Sequence, residues 1–185
     1  MIVALAGRRA DAVDAQQQRF PLQNVSIVKT RVRAVLQDHG ASTLVCSAAC
    51  GADLVALSEA GSLGLRRRVV LPFNRNRFRE TSVTDRPGDW GGLYDQILNQ
   101  IEAADDLVIV PDASGEEAYS ATNRRILDEA ISLSQQFHEP VIAALVWDGA
   151  SRGNDDLTAA FADEARNRGL PVVEVRTDRM DTVKD

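Results

Sequence analysis

The sequence predicts an α/β domain of Rossmann-like, three-layer type, with a mostly parallel sheet of five or six strands. Three observations carry that prediction. Apolar runs of strand length alternate from end to end with segments whose apolar residues recur at helical spacing, which is the pattern of repeated βα units. Several of those runs stop at a glycine or proline, as at Gly7, Pro72 and Pro111. The chain has 185 residues, 44% of them hydrophobic and 26% charged, ordinary for a globular domain and enough for a core between three layers.

Taken in order, Ile2–Ala6 reads as the first strand. Val25, Val28, Val32 and Leu36 then mark a helix that Gly40 closes. Thr43–Cys46 is the second strand, and Asp53–Leu63 a helix with Leu54 and Leu57 on one face, ending near Gly64. Arg68–Leu71 is the third strand. After the irregular segment Phe73–Asp89, Asp89 is expected to cap a helix whose apolar face is Leu93, Ile97 and Ile101. Leu107–Val110 is the fourth strand. A helix over about Glu117–Gln136 turns Ile126, Ala130, Leu133 and Phe137 inward. Val141–Trp147 is the fifth and most hydrophobic strand. Asn154 is expected to cap a last helix through Leu157, Phe161 and Ala165, before a short final strand, Val172–Val175. Residues 1–177 thus read as a single domain and 178–185 as a charged tail.

Charge and composition narrow the function. The formal net charge is −6, which sets nucleic acid aside as a partner, because backbone binding needs clustered positive charge. A small anion remains compatible with that balance, since arginines and helix N-termini act locally. No apolar run approaches the roughly 20 residues of a membrane span. The apolar start reaches Arg8-Arg9 at once and has no basic segment before it, the reverse of a secretory signal, so a cytoplasmic location is expected. Cys46 and Cys50 with two distant histidines make no zinc site; no metal and no cofactor are expected, and the cysteines read as small buried residues.

Parallel strands joined by right-handed crossovers put every strand-to-helix loop at one sheet edge, where ligands of such sheets bind. The candidate site follows from that rule. Gly7-Arg8-Arg9 offers a tight turn and guanidinium groups that can fork onto a phosphate or carboxylate. Ser47–Asp53 is built of small residues, with Gly51 and Ala52 where free N–H groups of a helix start meet an anion. Asp53 either accepts from a ribose hydroxyl or complements the helix dipole. Phe73–Asp89 carries Arg75, Arg77, Arg79 and Arg86 and is long enough for a lid, or for a dimer contact; a homo-oligomer, most simply a dimer, is expected. Gly115 and the acidic pair Glu116 and Glu117 open the next helix, where Tyr119 and Asn123, four apart, share a face and suit a base. Asp105, Asp106, His39 and His138 fall away from this edge, and no histidine is placed for a serine triad.

The order Gly7-Arg8-Arg9, Gly51-Ala52-Asp53-Leu54 with Glu59-Ala60 and Gly64, then Leu71-Pro72-Phe73, resembles the SLOG superfamily of Rossmann-like domains over about Met1 to Trp147. That superfamily includes DNA-processing proteins, the LOG phosphoribohydrolases related to lysine decarboxylases, and nucleotide sensors. Phe78–Val83 with Asp89-Trp90 resembles a sensor-type subgroup without an assigned reaction. The resemblance implies a nucleotide or nucleotide-derived ligand at the same edge. It does not carry the hydrolase motif: against PGGxGTxxE, aligned on Pro111 and Gly115, Asp112 and Ala113 replace the glycine pair and Tyr119 the glutamate.

The leading function is therefore binding or sensing of a nucleotide-derived small molecule. One alternative is a nucleoside-monophosphate N-glycosidase with Glu116 or Glu117 as the catalytic carboxylate stabilising oxocarbenium-like charge. Another is a protein-interaction domain whose pocket is vestigial. The sequence leaves catalysis open.

Overall fold

Six strands form a sheet in the order β4-β3-β2-β1-β5-β6, and every neighbouring pair is parallel. They are β1 (Ile2–Gly7), β2 (Thr43–Cys46), β3 (Arg66–Leu71), β4 (Leu107–Ile109), β5 (Val141–Trp147) and β6 (Val172–Arg176). The helices are α1 (Val25–Asp38), α2 (Ala52–Ser62), α3 (Arg75–Ser82), α4 (Trp90–Ala103), α5 (Gly115–Phe137) and α6 (Leu157–Asn167). The computed structural model describes residues 1–110 and 115–178, without the side chain of Glu116. Pro111–Ser114 and all of the expected tail except Asp178 lie outside the described residues. Among the described residues, no helix is long and apolar enough to cross a membrane.

Strand alternation divides the core into two layers. Val3 and Leu5 of β1 join Leu44, Cys46, Val69 and Leu71 beneath α1, α2 and α4. Ile2, Ala4 and Ala6 join Val45, Val70 and Leu145 beneath α5 and α6. Strand β1 lies between β2 and β5, so the strand order reverses direction there. A crevice opens at such a switch point because the connections on its two sides leave toward opposite faces.

Small residues make the centre close. A Cβ on Gly7 would stand 2.4 Å from Ala52 Cβ and 2.6 Å from Val146 O, so α2 approaches the end of β1 only because glycine is there. Beyond Gly7, Arg9 forms an antiparallel bridge with Gly51. Ala52 N–H donates to Arg8 O at 3.0 Å and Ala10 N–H to Cys50 O at 3.2 Å.

Several local expectations need correction. Phe73–Asp89 is not wholly irregular: it contains α3, capped by Asn74, whose side chain accepts from Arg77 N–H at 3.0 Å. The helix is strongly polar, and only Phe78 and Ser82, four apart, are buried, a stripe too narrow to read from periodicity. Asp89 stands at the α4 cap position without a side-chain cap bond; Trp90 and Tyr94 join Ile97 and Ile101 in the core. Phe137 is 43% exposed because α5 ends there and the chain turns at His138, and Leu127 is buried beside Ile126 instead. The α6 cap is Asp156, not Asn154: its carboxylate accepts from Thr158 and Ala159 N–H.

The Arg9–Gly51 stitch gives a stability prediction. Gly51 has φ 101°, and a Cβ on it would lie 2.5 Å from Ala10 N, whereas Gly40, φ 57°, has nothing within 4 Å. Gly51→Ala should therefore lose about 1–3 kcal/mol or more in urea unfolding, clearly exceeding Gly40→Ala.

Candidate functional site

A cavity of about 630 Å³ lies over the β1–β5 switch point, within the rough 300–1,000 Å³ range of small-molecule sites. The β1 end supplies Gly7, Arg8 and Arg9, and the β2 connection supplies Ser47, Ala49 and Asp53. Phe78, Ser82 and Arg86 enter from α3 and the segment after it; Tyr119, Thr122 and Asn123 come from α5. Arg152, Leu157 and Thr158 complete the ring from the β5–α6 side. The topological rule thus brings loops distant in sequence to one place.

Arg8 has been drawn into the protein. It is 3% exposed, and its Nε donates to Asp148 Oδ1 at 2.9 Å. One terminal nitrogen donates to Asp156 Oδ1 at 2.6 Å and the other to Ala150 O at 2.7 Å. Burial opposes its charge, but the bonds to Asp156 and Asp148 outweigh it and hold the guanidinium pKa above its ordinary value. Asp156 shows the same balance from the other side: burial alone would raise its pKa, yet Arg8 and the Arg152 and Ala159 N–H groups bring it to about 2. Three donor directions of Arg8 are therefore committed within the chain.

The long connection from Ala10 to Asn24 went unread in the sequence, although its length alone exceeds an ordinary strand-to-helix loop. It closes on itself: the Asp11 carboxylate accepts from Arg19 N–H and Phe20 N–H, and Asp11 N–H donates to Phe20 O at 3.0 Å. Phe20 is fully buried, and Arg19 binds Asp148, the carboxylate that also holds Arg8. Asp11, Ala15 and Arg19 line the cavity in consequence. Asp148 and Asp156 were likewise missed as partners. Each left a trace in sequence: Asp148 directly follows the fifth strand at the ligand edge, and Asp156 stands immediately before an amphipathic helix.

The β2 connection divides. Gly51 and Ala52 do not line the cavity, because the bridge to Arg9 covers the start of α2 and Ala52 N–H is taken by Arg8 O. Arg9 pairs with Asp85 and approaches Cys50 Sγ at 3.7 Å. Burial raises the Cys50 thiol pKa, with Arg9 acting against it, and both cysteines are free and buried. Asp53 does line the cavity. It is 7% exposed, its Oδ2 accepts from Ala49 N–H at 3.1 Å, and burial lifts its pKa to about 7 against that bond and the charge of Arg9.

An aromatic cluster adjoins the cavity. Tyr119 meets Phe73 edge-on with ring centroids 5.9 Å apart, and Phe73 lies 6.1 Å from Phe78. Tyr119 Oη is 3.3 Å from Ser82 Oγ. Asn123 Nδ2 donates to Leu157 O at 2.8 Å, tying α5 to α6. Of the four proposed lid arginines, Arg86 lines the cavity. Arg75 and Arg79 instead bind Asp95 and Glu102, and Arg77 covers the Phe73 ring at 4.3 Å. Gly115 and Glu117 are exposed and do not line the cavity; the Glu116 side chain lies outside the description. Among the described residues no cluster of three or more His, Cys, Asp or Glu is placed to hold a metal ion.

No family model and no curated protein matches the chain. A solved structure of DNA processing protein A (DprA) from Streptococcus pneumoniae is similar over 92% of this chain, with a TM-score of 0.40 and 14% identity. The chain spans 57% of that protein. The expectation that nucleic acid is not a partner does not stand beside a DNA processing protein and is withdrawn. Its premise was also physically weak: net charge sums the whole surface, whereas a phosphate meets a local field, and Arg8, Arg9, Arg19, Arg86 and Arg152 all line this cavity.

The site generates two stability predictions. Arg8→Ala removes the buried cation shared by Asp148, which keeps Arg19, and Asp156, which keeps its backbone N–H donors, and should cost about 3 kcal/mol in denaturant unfolding. For Asp53, the folded pKa lies above the unfolded value of about 3.9, so its contribution is full below pH 4 and is lost as pH rises to about 7. Asp53→Asn should flatten that decline, at most roughly 1.4 kcal/mol per pH unit, in urea melts from pH 4 to 8. The Asp156 contribution runs oppositely, present above about pH 4 and lost toward pH 2.

Proposed function

We propose that this protein binds a nucleotide-derived small molecule in the cavity over the β1–β5 switch point. One observation carries the reading: aromatic side chains and under-committed guanidinium groups line the same cavity. Tyr119, half-buried, offers π surface to a base, and the buried Phe78 adds apolar lining behind the cavity wall. Asn123, whose amide nitrogen is bound to Leu157 O, keeps its carbonyl oxygen for an exocyclic amine. Arg86 and Arg152 have ion pairs only at 3.8 Å and 3.7 Å, to Asp85 and Asp156, and neither side chain donates a hydrogen bond to another described residue. Such groups take a phosphate with little loss elsewhere.

In this reading the phosphate moves from the Gly51 loop, where α2 is covered, to Arg86 and Arg152. The resemblance of the loop motifs to the SLOG superfamily supports a nucleotide as the ligand class. Of the two carboxylates offered for hydrolysis, Glu117 is exposed and stands apart from the cavity lining.

Thermal-shift and calorimetric titration against nucleoside mono- and diphosphates, cyclic nucleotides, ADP-ribose and a short single-stranded oligonucleotide test the proposal. At least one small nucleotide should raise the melting temperature. Arg86→Ala and Arg152→Ala should each weaken it about tenfold or more, as loss of a charged hydrogen bond implies. No binding at millimolar concentration, or binding of the oligonucleotide alone, overturns the proposal.

A further inference from the structure

Resting on that reading, we infer that Asp53 selects the sugar of the ligand: its second carboxylate oxygen accepts a hydrogen bond from a ribose hydroxyl, so that ribonucleotides bind in preference to deoxyribonucleotides. Asp53 stands in the first turn of α2, is 7% exposed and lines the cavity. Oδ2 is occupied by Ala49 N–H at 3.1 Å, and no other described residue donates to the carboxylate. The local backbone therefore uses one oxygen and leaves Oδ1 for what enters the cavity.

The surroundings make that oxygen costly to keep for packing alone. Asp53 follows Ala48, Cys50 and Ala52 and precedes Leu54, all buried, and it forms no ion pair among the described residues. Burying a carboxylate without a cation is unfavourable, and a residue needed only to accept from Ala49 N–H has no use for a second oxygen. Such a cost is usual where a ligand, rather than the fold, requires the group. The cavity wall beside it supplies Gly7, Ser47 and Ala49, whose short side chains leave the carboxylate open to a sugar.

Within the described chain no cation takes that oxygen: Arg9, the charged group acting on Asp53, is committed to Asp85. A phosphate is excluded by like charge whenever Asp53 is ionised. A hydroxyl suits both protonation states, since it can donate to a carboxylate oxygen and accept from a neutral carboxyl. Burial places its pKa at about 7, so both states occur near neutrality.

The test is calorimetric titration of the full chain with a binding ribonucleotide and its 2′-deoxy and 3′-deoxy analogues. At least one deoxy analogue should bind the unmodified protein about tenfold more weakly. In Asp53→Ala the analogues should fall within threefold of the ribonucleotide; Asp53→Leu, close in size and unable to hydrogen-bond a hydroxyl, serves by the same criterion if Asp53→Ala does not fold. A preference below threefold in the unmodified protein overturns the inference and leaves nucleotide binding standing. Retention of the full preference in the folded variant also overturns it. Absence of binding by every ribonucleotide overturns both readings.

Discussion

A guanidinium buried at the end of a central strand must find carboxylates, and much of the ligand edge is arranged by that requirement on Arg8. Asp148 comes from the residue after β5 and Asp156 from the start of α6, while Ala150 offers its carbonyl. Asp156 also caps α6, so the charge pair fixes where that helix begins. Asp148 reaches Arg19 as well and thereby draws in the connection between β1 and α1. One buried charge thus couples three segments that are far apart in the chain.

The second organising constraint is proximity. Gly7 lets α2 approach β1, and Gly51 lets the two following loops bond through their backbones. Together these contacts close the start of α2, a place where a Rossmann-like sheet ordinarily has room for an anion. The space that remains is displaced toward α3, α5 and the α6 loop. Its lining includes Phe78, Tyr119 and arginines contributed by several connections. The division between committed and uncommitted arginines is central to the chemistry, because Arg8 and Arg75 stabilise the fold while Arg86 and Arg152 remain open to a ligand.

How much of this was readable depended on the range of the interaction. The strand cores at Thr43–Cys46 and Val141–Trp147 were bounded correctly, since a continuous apolar run between turn residues is a local signal. The α3 helix was not, because its eight residues are polar apart from a two-residue stripe. The α6 cap was misplaced by two residues: Asn154 and Asp156 are chemically similar, and the choice fell to the one that Arg8 could reach. Tyr119, Asn123, Asp53 and Arg86 line the cavity because topology brings their segments to that edge, whereas Arg75, Arg77 and Arg79, on one of the same segments, do not. The Asp11–Phe20 loop was overlooked because polar, aperiodic residues carry no pattern, and its closure depends on one carboxylate meeting two distant N–H groups.

The sequence by itself determined the layer architecture, the alternation of strands and helices, and the sheet edge at which the strand-to-helix loops gather. Those properties follow from local periodicity and from the handedness of parallel crossovers, both of which act over a few tens of residues. Tertiary structure alone decided which charged groups serve the fold and which face the cavity. Ion-pair choice depends on distances between residues as remote as Arg8 and Asp156, and burial sets the protonation of Asp53. Neither quantity exists until the chain has closed upon itself.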